Sequence, residues 1–167
     1  MLRGSHAERA AADDEQDPEQ HEPGCVAGLS EDAGGDVEAG SLVDAHVTAH
    51  DPDDQLTTLA FDGGELHIPR LDARVGDRVR ARIRARDVSL ALRRPESISI
   101  LNVLAGRVTA IREETGPVVE VQVAVGAATL TARVTRRSLG QLGVHTGQDV
   151  FALVKAVSFD RRSVGYA

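Results

Sequence analysis

Aromatic side chains are scarce in this sequence of 167 residues, and tryptophan is absent. Phenylalanine, tyrosine and tryptophan together make up 2% of the chain. A surface that stacks bases needs several exposed rings. The formal net charge of −7 also disfavours a general nucleic-acid or anionic-membrane binder. We therefore expect no nucleic-acid partner.

Cysteine occurs once, at Cys25, and long apolar runs do not occur at all. A single cysteine excludes an intrachain disulfide framework and a cysteine-based zinc site. The sequence has no run of about 18 apolar residues, which is the length that a transmembrane helix needs. Its first residues do not resemble a secretory signal. We expect no direct membrane insertion.

Known catalytic motifs are also missing. The sequence has no phosphate loop, no dinucleotide-binding glycine motif and no G-x-S-x-G nucleophile turn. On a strand, His46 and His50 would lie about 13 Å apart, too far to share one metal ion, so we interpret them as surface histidines. We therefore predict a binding or interaction module and not an enzyme, with no catalytic residues and no bound metal ion.

The negative charge is concentrated at the N-terminus. Residues 1–40 hold eleven of the 26 acidic residues and two of the 19 Lys and Arg residues, which gives a net charge of −9. This segment is rich in Ala, Gly, Asp and Glu and cannot bury enough apolar surface to offset its chain entropy. We predict a disordered acidic tail over residues 1–40, followed by a nearly neutral folded body.

From residue 41 onward, short alternating runs separated by turn residues predict an all-β fold. The predicted strands cover residues 42–48, 55–61, 65–68, 78–86, 103–112, 118–125, 128–134 and 151–157. In the fourth strand Val79, Ala81, Ile83 and Ala85 face the core and arginines alternate with them. This basic stripe could bind phosphate, but outward arginines are also typical of a half-buried strand. We favour the second interpretation.

The second half of the body repeats the first. Residues 103–112 resemble residues 42–50, and residues 146–150 resemble residues 74–79. This repeat predicts two small β units, each marginal alone, which pack on each other or on a second chain. The predicted helix covers residues 135–143, with Thr135 as its N-cap and Gly143 at its end.

Two segments point to a known family. The run R-A-R-D-V-S-L-A (residues 84–91), followed by S-I-L-N-V-L (residues 99–104), resembles the C-terminal accessory region of the ATP-binding subunit of molybdate ABC importers. Residues 132–138 and 154–157 fit the same pattern, and the resemblance spans about residues 41–167. It implies two tandem OB-like β-barrel units of the Mop or TOBE type, with a first unit over residues 41–98 and a Mop/TOBE domain over residues 99–167. The family's ATPase domain is missing, so we expect a detached C-terminal piece without an ATP site.

The resemblance also implies a site for molybdate or tungstate. The residues it assigns to the oxyanion are Ser99, Ile100, Leu101, Asn102, Thr135, Arg136, Ser138, Lys155 and Ala156. Hydroxyls, backbone N–H groups and a positive charge suit a tetrahedral dianion, and a helix start at Thr135 would add N–H donors. Lys155 is the only lysine in the chain.

The resemblance implies a homodimer formed through the Mop units. It also implies a cytoplasmic position at the inner face of the plasma membrane, where the missing ATPase domain would contact the permease subunits. Related Mop sequences often carry Arg where this chain has Leu101. That departure leaves open a purely structural or regulatory module with a degenerate anion site. A free molybdate-storage protein is a further alternative.

Overall fold

A computed structural model describes residues 39–113, 115–160 and 162–166. Residues 1–38 of the predicted acidic tail, including Cys25, lie outside the described residues. Within the described part, the chain forms ten β-strands, one α-helix and two 3₁₀ helices. The strands are β1 (Gly40–Asp51), β2 (Leu56–Phe61), β3 (Gly64–Pro69), β4 (Arg78–Arg84), β5 (Val88–Ala91), β6 (Asn102–Glu113), β7 (Val118–Val125), β8 (Ala128–Thr135), β9 (Asp149–Val154) and β10 (Val164–Tyr166). The α-helix α1 spans Arg136–Leu142, and the 3₁₀ helices span Ala85–Asp87 and Ala156–Ser158.

The strands form two five-stranded antiparallel sheets, which confirms the predicted all-β fold with one short helix. The first sheet has the order β10-β4-β1-β2-β3, and the second has the order β5-β9-β6-β7-β8. Each sheet therefore takes one strand from the other half of the sequence. The second sheet also curls until its edge strands β5 and β8 contact each other.

The internal repeat extends to local geometry. Each long strand, β1 and β6, has an irregularity in its pairing, next to Thr48 in one half and Thr109 in the other. Each of these threonines donates its hydroxyl to a carbonyl of the next strand, at 3.2 and 3.3 Å. Gly76 and Gly147, both with positive φ, donate their N–H groups back to the same two strands. The two halves are thus built on one template.

The core follows the alternation that the sequence predicts. On β1, every second residue from Ser41 to Val47 is buried, and on β7 the buried residues run from Val119 to Val125. Burying one valine or leucine side chain contributes about 1.5–3 kcal/mol. Buried residues from both sheets form one hydrophobic cluster, so the halves share a core.

Two predicted strands end earlier than the pattern indicates. The strand predicted over residues 78–86 stops at Arg84, and the strand predicted over residues 151–157 stops at Val154. Each is followed by a 3₁₀ helix whose first alanine is buried, as alternation predicts for Ala85. The chain leaves one sheet and enters the other at these points, so the regular ladder cannot continue.

The helix prediction is confirmed at both ends. Thr135 is extended and its Oγ1 accepts the N–H of Ser138 at 3.0 Å. Gly143 adopts a left-handed conformation with φ 64° and ends the helix.

Two equivalent hairpin turns meet between the sheets. The side chain of Asp62, in the β2–β3 turn, accepts the N–H of Ala127, in the β7–β8 turn, at 2.7 Å. A Cβ on Gly126 would lie 2.6 Å from the nitrogen of Gly63, and Gly126 itself has φ 58°. Glycine is required there both for the conformation and for the close approach.

Candidate functional site

The predicted oxyanion residues fall into two groups in the structure. The first group joins residues 99–102 to Lys155 and Ala156. Asn102 pairs with Val154 across β6 and β9, so the residue next to Val154, Lys155, lies beside the start of β6. The fold therefore brings together two segments that are more than fifty residues apart in sequence. We call this group the Lys155 position.

Asn102 has a structural role in this group. Its side chain is 1% exposed; Oδ1 accepts the N–H of His67 at 2.6 Å, and Nδ2 donates to the His67 carbonyl at 3.0 Å. The amide thus completes the backbone pairing of β3 in the other half of the chain. Ser41, at the equivalent place at the start of β1, accepts the N–H of Thr131 in β8 at 2.9 Å. These two side chains join the halves reciprocally.

Lys155 is exposed and directly precedes the 3₁₀ helix Ala156–Ser158. In the part of the chain that the structure describes, its ammonium makes no ion pair. Ser99, three residues before Asn102, is exposed, and Leu101 is 51% exposed. The two segments therefore offer a cation and a hydroxyl to solvent.

The second group, Thr135, Arg136 and Ser138, lies at the end of β8 and the start of α1. Thr135 and Ser138 border a cleft of 490 Å³ between β5 and β8. The polar side chains that line it belong to Arg86, Ser89, Arg133, Thr135, Ser138 and Gln141. All of them carry hydrogen-bond donors and none is a carboxylate, which suits an anion.

Several donors at the start of α1 already have partners. The N–H of Arg136 donates to the Pro117 carbonyl at 2.8 Å, and the hydroxyls of Thr135 and Ser138 lie 2.7 Å apart. The Arg136 side chain pairs with Glu113 and with the Gly116 carbonyl. An anion in the cleft would therefore have to compete with these hydrogen bonds.

Sequence reasoning missed four polar residues of this cleft, namely Arg86, Ser89, Arg133 and Gln141. Arg86 and Ser89 belong to a quoted motif, but only the curling of the second sheet brings β5 to β8. Arg133 also lies 3.7 Å from Glu120, which is half-buried. No sequence signal identifies which pair of edge strands will meet.

The histidines and acidic residues show no metal centre within residues 39–113, 115–160 and 162–166. His46 is exposed as predicted, but His50 is not a surface residue. It is half-buried, and its ring nitrogens lie 2.9 Å from the Thr57 hydroxyl and 2.7 Å from the Ala73 carbonyl. No helix among the described residues is long and apolar enough to cross a membrane.

Comparison with known proteins shows what this chain is similar to. Residues 98–159 match the TOBE domain family. Over 128 residues the chain is 44% identical to the molybdenum import ATP-binding protein ModC of Mesorhizobium japonicum, a match that covers 77% of this chain and 35% of that protein. The ModC protein of Aromatoleum aromaticum is 47% identical over 126 residues, covering 75% of this chain and 33% of that protein.

A solved structure shows the same fold. The cytoplasmic molybdate-binding protein ModG superposes with a TM-score of 0.65 at 22% identity, covering 75% of this chain and 95% of that chain. The TOBE and ModC matches confirm the resemblance to the C-terminal region of molybdate importer ATP-binding subunits. The chain spans about a third of the length of the curated relatives it matches, and the aligned part is their TOBE region and not their ATPase domain.

Proposed function

Because residues 98–159 match the TOBE domain, we propose that this chain is a non-catalytic module that binds molybdate or tungstate. The observation that supports the proposal is the pairing of Asn102 with Val154, because the chain continues from Val154 directly into Lys155 and Ala156. Lys155 supplies a positive charge without an ion pair in the described residues, and Ser99 supplies a hydroxyl. Backbone N–H groups of Ile100, Leu101 and Ala156 are further proposed donors.

The second group has a complementary role in this proposal. Thr135 and Ser138 present hydroxyls at the cleft beside β5 and not beside Asn102. Arg136 directly follows Thr135, and its guanidinium pairs with Glu113 and the Gly116 carbonyl. We infer that a site containing both groups forms between two copies of the chain. Binding and dimerisation would then be coupled, since each site would take one group from one copy and the other group from its partner.

The wider setting follows from the relatives. We propose that the module belongs to the ATP-binding subunit of a molybdate importer, at the cytoplasmic face of the membrane. Contact with the permease subunits would pass through an ATPase domain of the kind found in the ModC relatives. Each half of the body, residues 41–98 and 99–167, would act as one Mop-type unit of the module.

Thermal unfolding of the full chain tests the binding proposal. Ligand at about 100 times its dissociation constant adds roughly 2.7 kcal/mol. That corresponds to a rise in midpoint on the order of 5–10 °C for a chain of this size. We expect the rise with sodium molybdate or tungstate and a smaller one with sulfate. No rise at millimolar molybdate, in a folded sample, would contradict the proposal.

Two variants locate the site. Lys155→Ala should abolish the rise and leave the midpoint without ligand unchanged, because Lys155 is exposed and without an ion pair in the described chain. Arg112→Ala removes an exposed cation near the opposite end of β6 and serves as the matched control. Equal loss in both variants would indicate a general charge effect and not a site at Lys155.

One observation favours a second candidate function. Leu101 is half-exposed at the Lys155 position and cannot donate a hydrogen bond from its side chain. A purely structural module with a degenerate anion site is therefore the alternative. It predicts the same dimer with and without molybdate, measured by sedimentation, whereas coupled binding predicts that molybdate favours the dimer.

A further inference from the structure

We propose that Asn102 is a positioning residue for the oxyanion, so that the affinity of the Lys155 position depends on a strand from the other half of the chain. The inference rests on the proposed function and deepens it, because it states what holds residues 99–101 in place. The strand is β3, and the contact is made by the backbone of His67.

The ladder between β6 and β9 ends earlier than its counterpart in the first half. In the first half, the N–H of Ala85 donates to the carbonyl of Ala39 at 2.8 Å and extends the ladder between β1 and β4. The equivalent bond in the second half would run from Ala156 to Ile100, and it does not form among the described residues. The chain before Asn102 therefore leaves the sheet at this point, and the N–H of Ala156 has no backbone acceptor in this part of the chain.

Asn102 is the last anchored residue of this segment. Residues 99–101 make no hydrogen bond within the described chain. On one side Asn102 pairs with Val154 of β9, and on the other its side chain binds both backbone groups of His67. The amide is buried and uses its donor and its acceptor on the protein, so it acts through residues 99–101 and not by touching the oxyanion. The place where the segment leaves the sheet is thus fixed from both halves.

The equivalent joint in the other direction is looser. Ser41, which is equivalent to Asn102, accepts one hydrogen bond, from the N–H of Thr131 at 2.9 Å. Asn102 makes two, at 2.6 and 3.0 Å, and a donor and an acceptor together fix the orientation of the amide. The tighter joint is the one beside the segment that leads into Lys155. Outer residues that orient ligand-binding groups in this way typically change affinity by about 10–100-fold at metal sites.

The backbone of His67 offers a way to break this link without altering a proposed ligand. Its N–H and carbonyl both bind Asn102, so they point away from β2. Alternate residues of an antiparallel strand share this direction, and Pro69 already occupies the next such position of β3. His67→Pro removes the N–H that Asn102 accepts. His67→Ala removes the same imidazole and keeps the N–H.

Isothermal titration of the full chain with sodium molybdate tests the inference. We expect His67→Pro to bind molybdate about tenfold more weakly than the unaltered protein, because the segment loses part of its support. His67→Ala is the matched control and should bind as tightly as the unaltered protein. The titrations are made at a temperature at which circular dichroism shows each variant to be folded, so that a loss of affinity does not reflect a loss of the fold.

Hydrogen exchange provides a second measurement, on the unaltered protein. If the bonds to His67 strengthen oxyanion binding, bound oxyanion must strengthen those bonds by the same coupling free energy. We therefore expect molybdate to slow exchange of the His67 amide more than exchange of the Leu71 amide. The Leu71 N–H is the matched control, because it is also held by a side-chain oxygen, Oγ1 of Thr57 at 3.0 Å. General stabilisation by the ligand would slow both amides equally.

The outcomes separate this inference from the proposed function. If the unaltered protein binds no molybdate, the proposed function is wrong and the inference falls with it. If the unaltered protein binds molybdate but His67→Pro and His67→Ala have equal affinity, the inference is wrong and the proposed function stands. If His67→Pro fails to fold, hydrogen exchange decides, and equal slowing of the two amides overturns the inference.

Discussion

Replacing Asn102 by alanine should destabilise the fold strongly, although Asn102 lies in a segment proposed for ligand binding. The side chain is 1% exposed and makes two hydrogen bonds to the backbone of His67. Its removal leaves an N–H and a carbonyl without partners, and each buried unsatisfied group costs about 1–3 kcal/mol. We expect a loss of roughly 2–4 kcal/mol in the free energy of unfolding, measured by urea denaturation.

Two matched variants make the reasoning specific. Ser41→Ala removes one hydrogen bond at the equivalent place, so its cost should be about half as large. Asn102→Asp keeps the acceptor for the His67 N–H but turns a donor into a charged oxygen that faces a carbonyl. It should be at least as destabilising as alanine at pH 7, and less so in acid, where the protonated carboxyl can donate. A loss below about 0.5 kcal/mol for Asn102→Ala would refute the claim that this amide joins the halves.

Two further predictions concern charge and packing. The pKa of Asp160 is lowered by the Ser163 hydroxyl first, then by the backbone N–H of Arg162, with Arg84 adding to the effect. A lowered pKa stabilises the fold at pH values above the ordinary Asp pKa of about 3.9, and this stabilisation is lost as the pH falls through the folded-state pKa. Asp160→Asn should therefore have a lower free energy of unfolding at pH 7, and its acid unfolding should lack the pH dependence that the Asp160 carboxylate contributes. Gly126→Ala should lower the free energy of unfolding, measured by urea denaturation, by about 1–3 kcal/mol, because φ is 58° and the added Cβ would meet backbone atoms of the facing turn. An unchanged free energy of unfolding would show that the two turns can separate.

Much of the fold can be predicted from the sequence because its long strands alternate clearly. The strands around Val43, Val79 and Val121 bury one face each, and period-two alternation is the expected signal for that arrangement. The helix was predictable because Thr135 and Gly143 are strong capping residues. Strand alternation and helix capping depend on residues that are close together in the sequence, so a single sequence is enough to predict them.

The exchange of β5 and β10 could not be predicted in the same way. Both strands are short, and their pairing partners, β9 and β4, belong to the opposite half. Alternation indicates that a segment is extended but not which edge it joins. For the same reason, the sequence could not show that Arg86 and Ser89 approach Thr135, or that the Asn102 amide is used by His67.

The candidate residues themselves came from the family resemblance, and the structure sorted them by position. Asn102 lies next to the segment that leads into Lys155 because β6 and β9 are neighbours, whereas Thr135 and Ser138 border the cleft beside β5. A single list of ligands cannot express this separation, since it depends on the order of strands in a sheet. The Lys155→Ala and His67→Pro variants test the Lys155 position by itself.

The exchange of β5 and β10 means that each half of the chain completes the sheet of the other half. A cut in the connection between residues 92 and 101 would leave each fragment holding a strand that completes the other fragment's sheet. Neither fragment could satisfy its own sheet edge, yet the two together would restore every ladder. The chain is therefore suited to being divided into two complementing fragments. Deletion of either half would remove one strand from the sheet of the remaining half and so destabilise it.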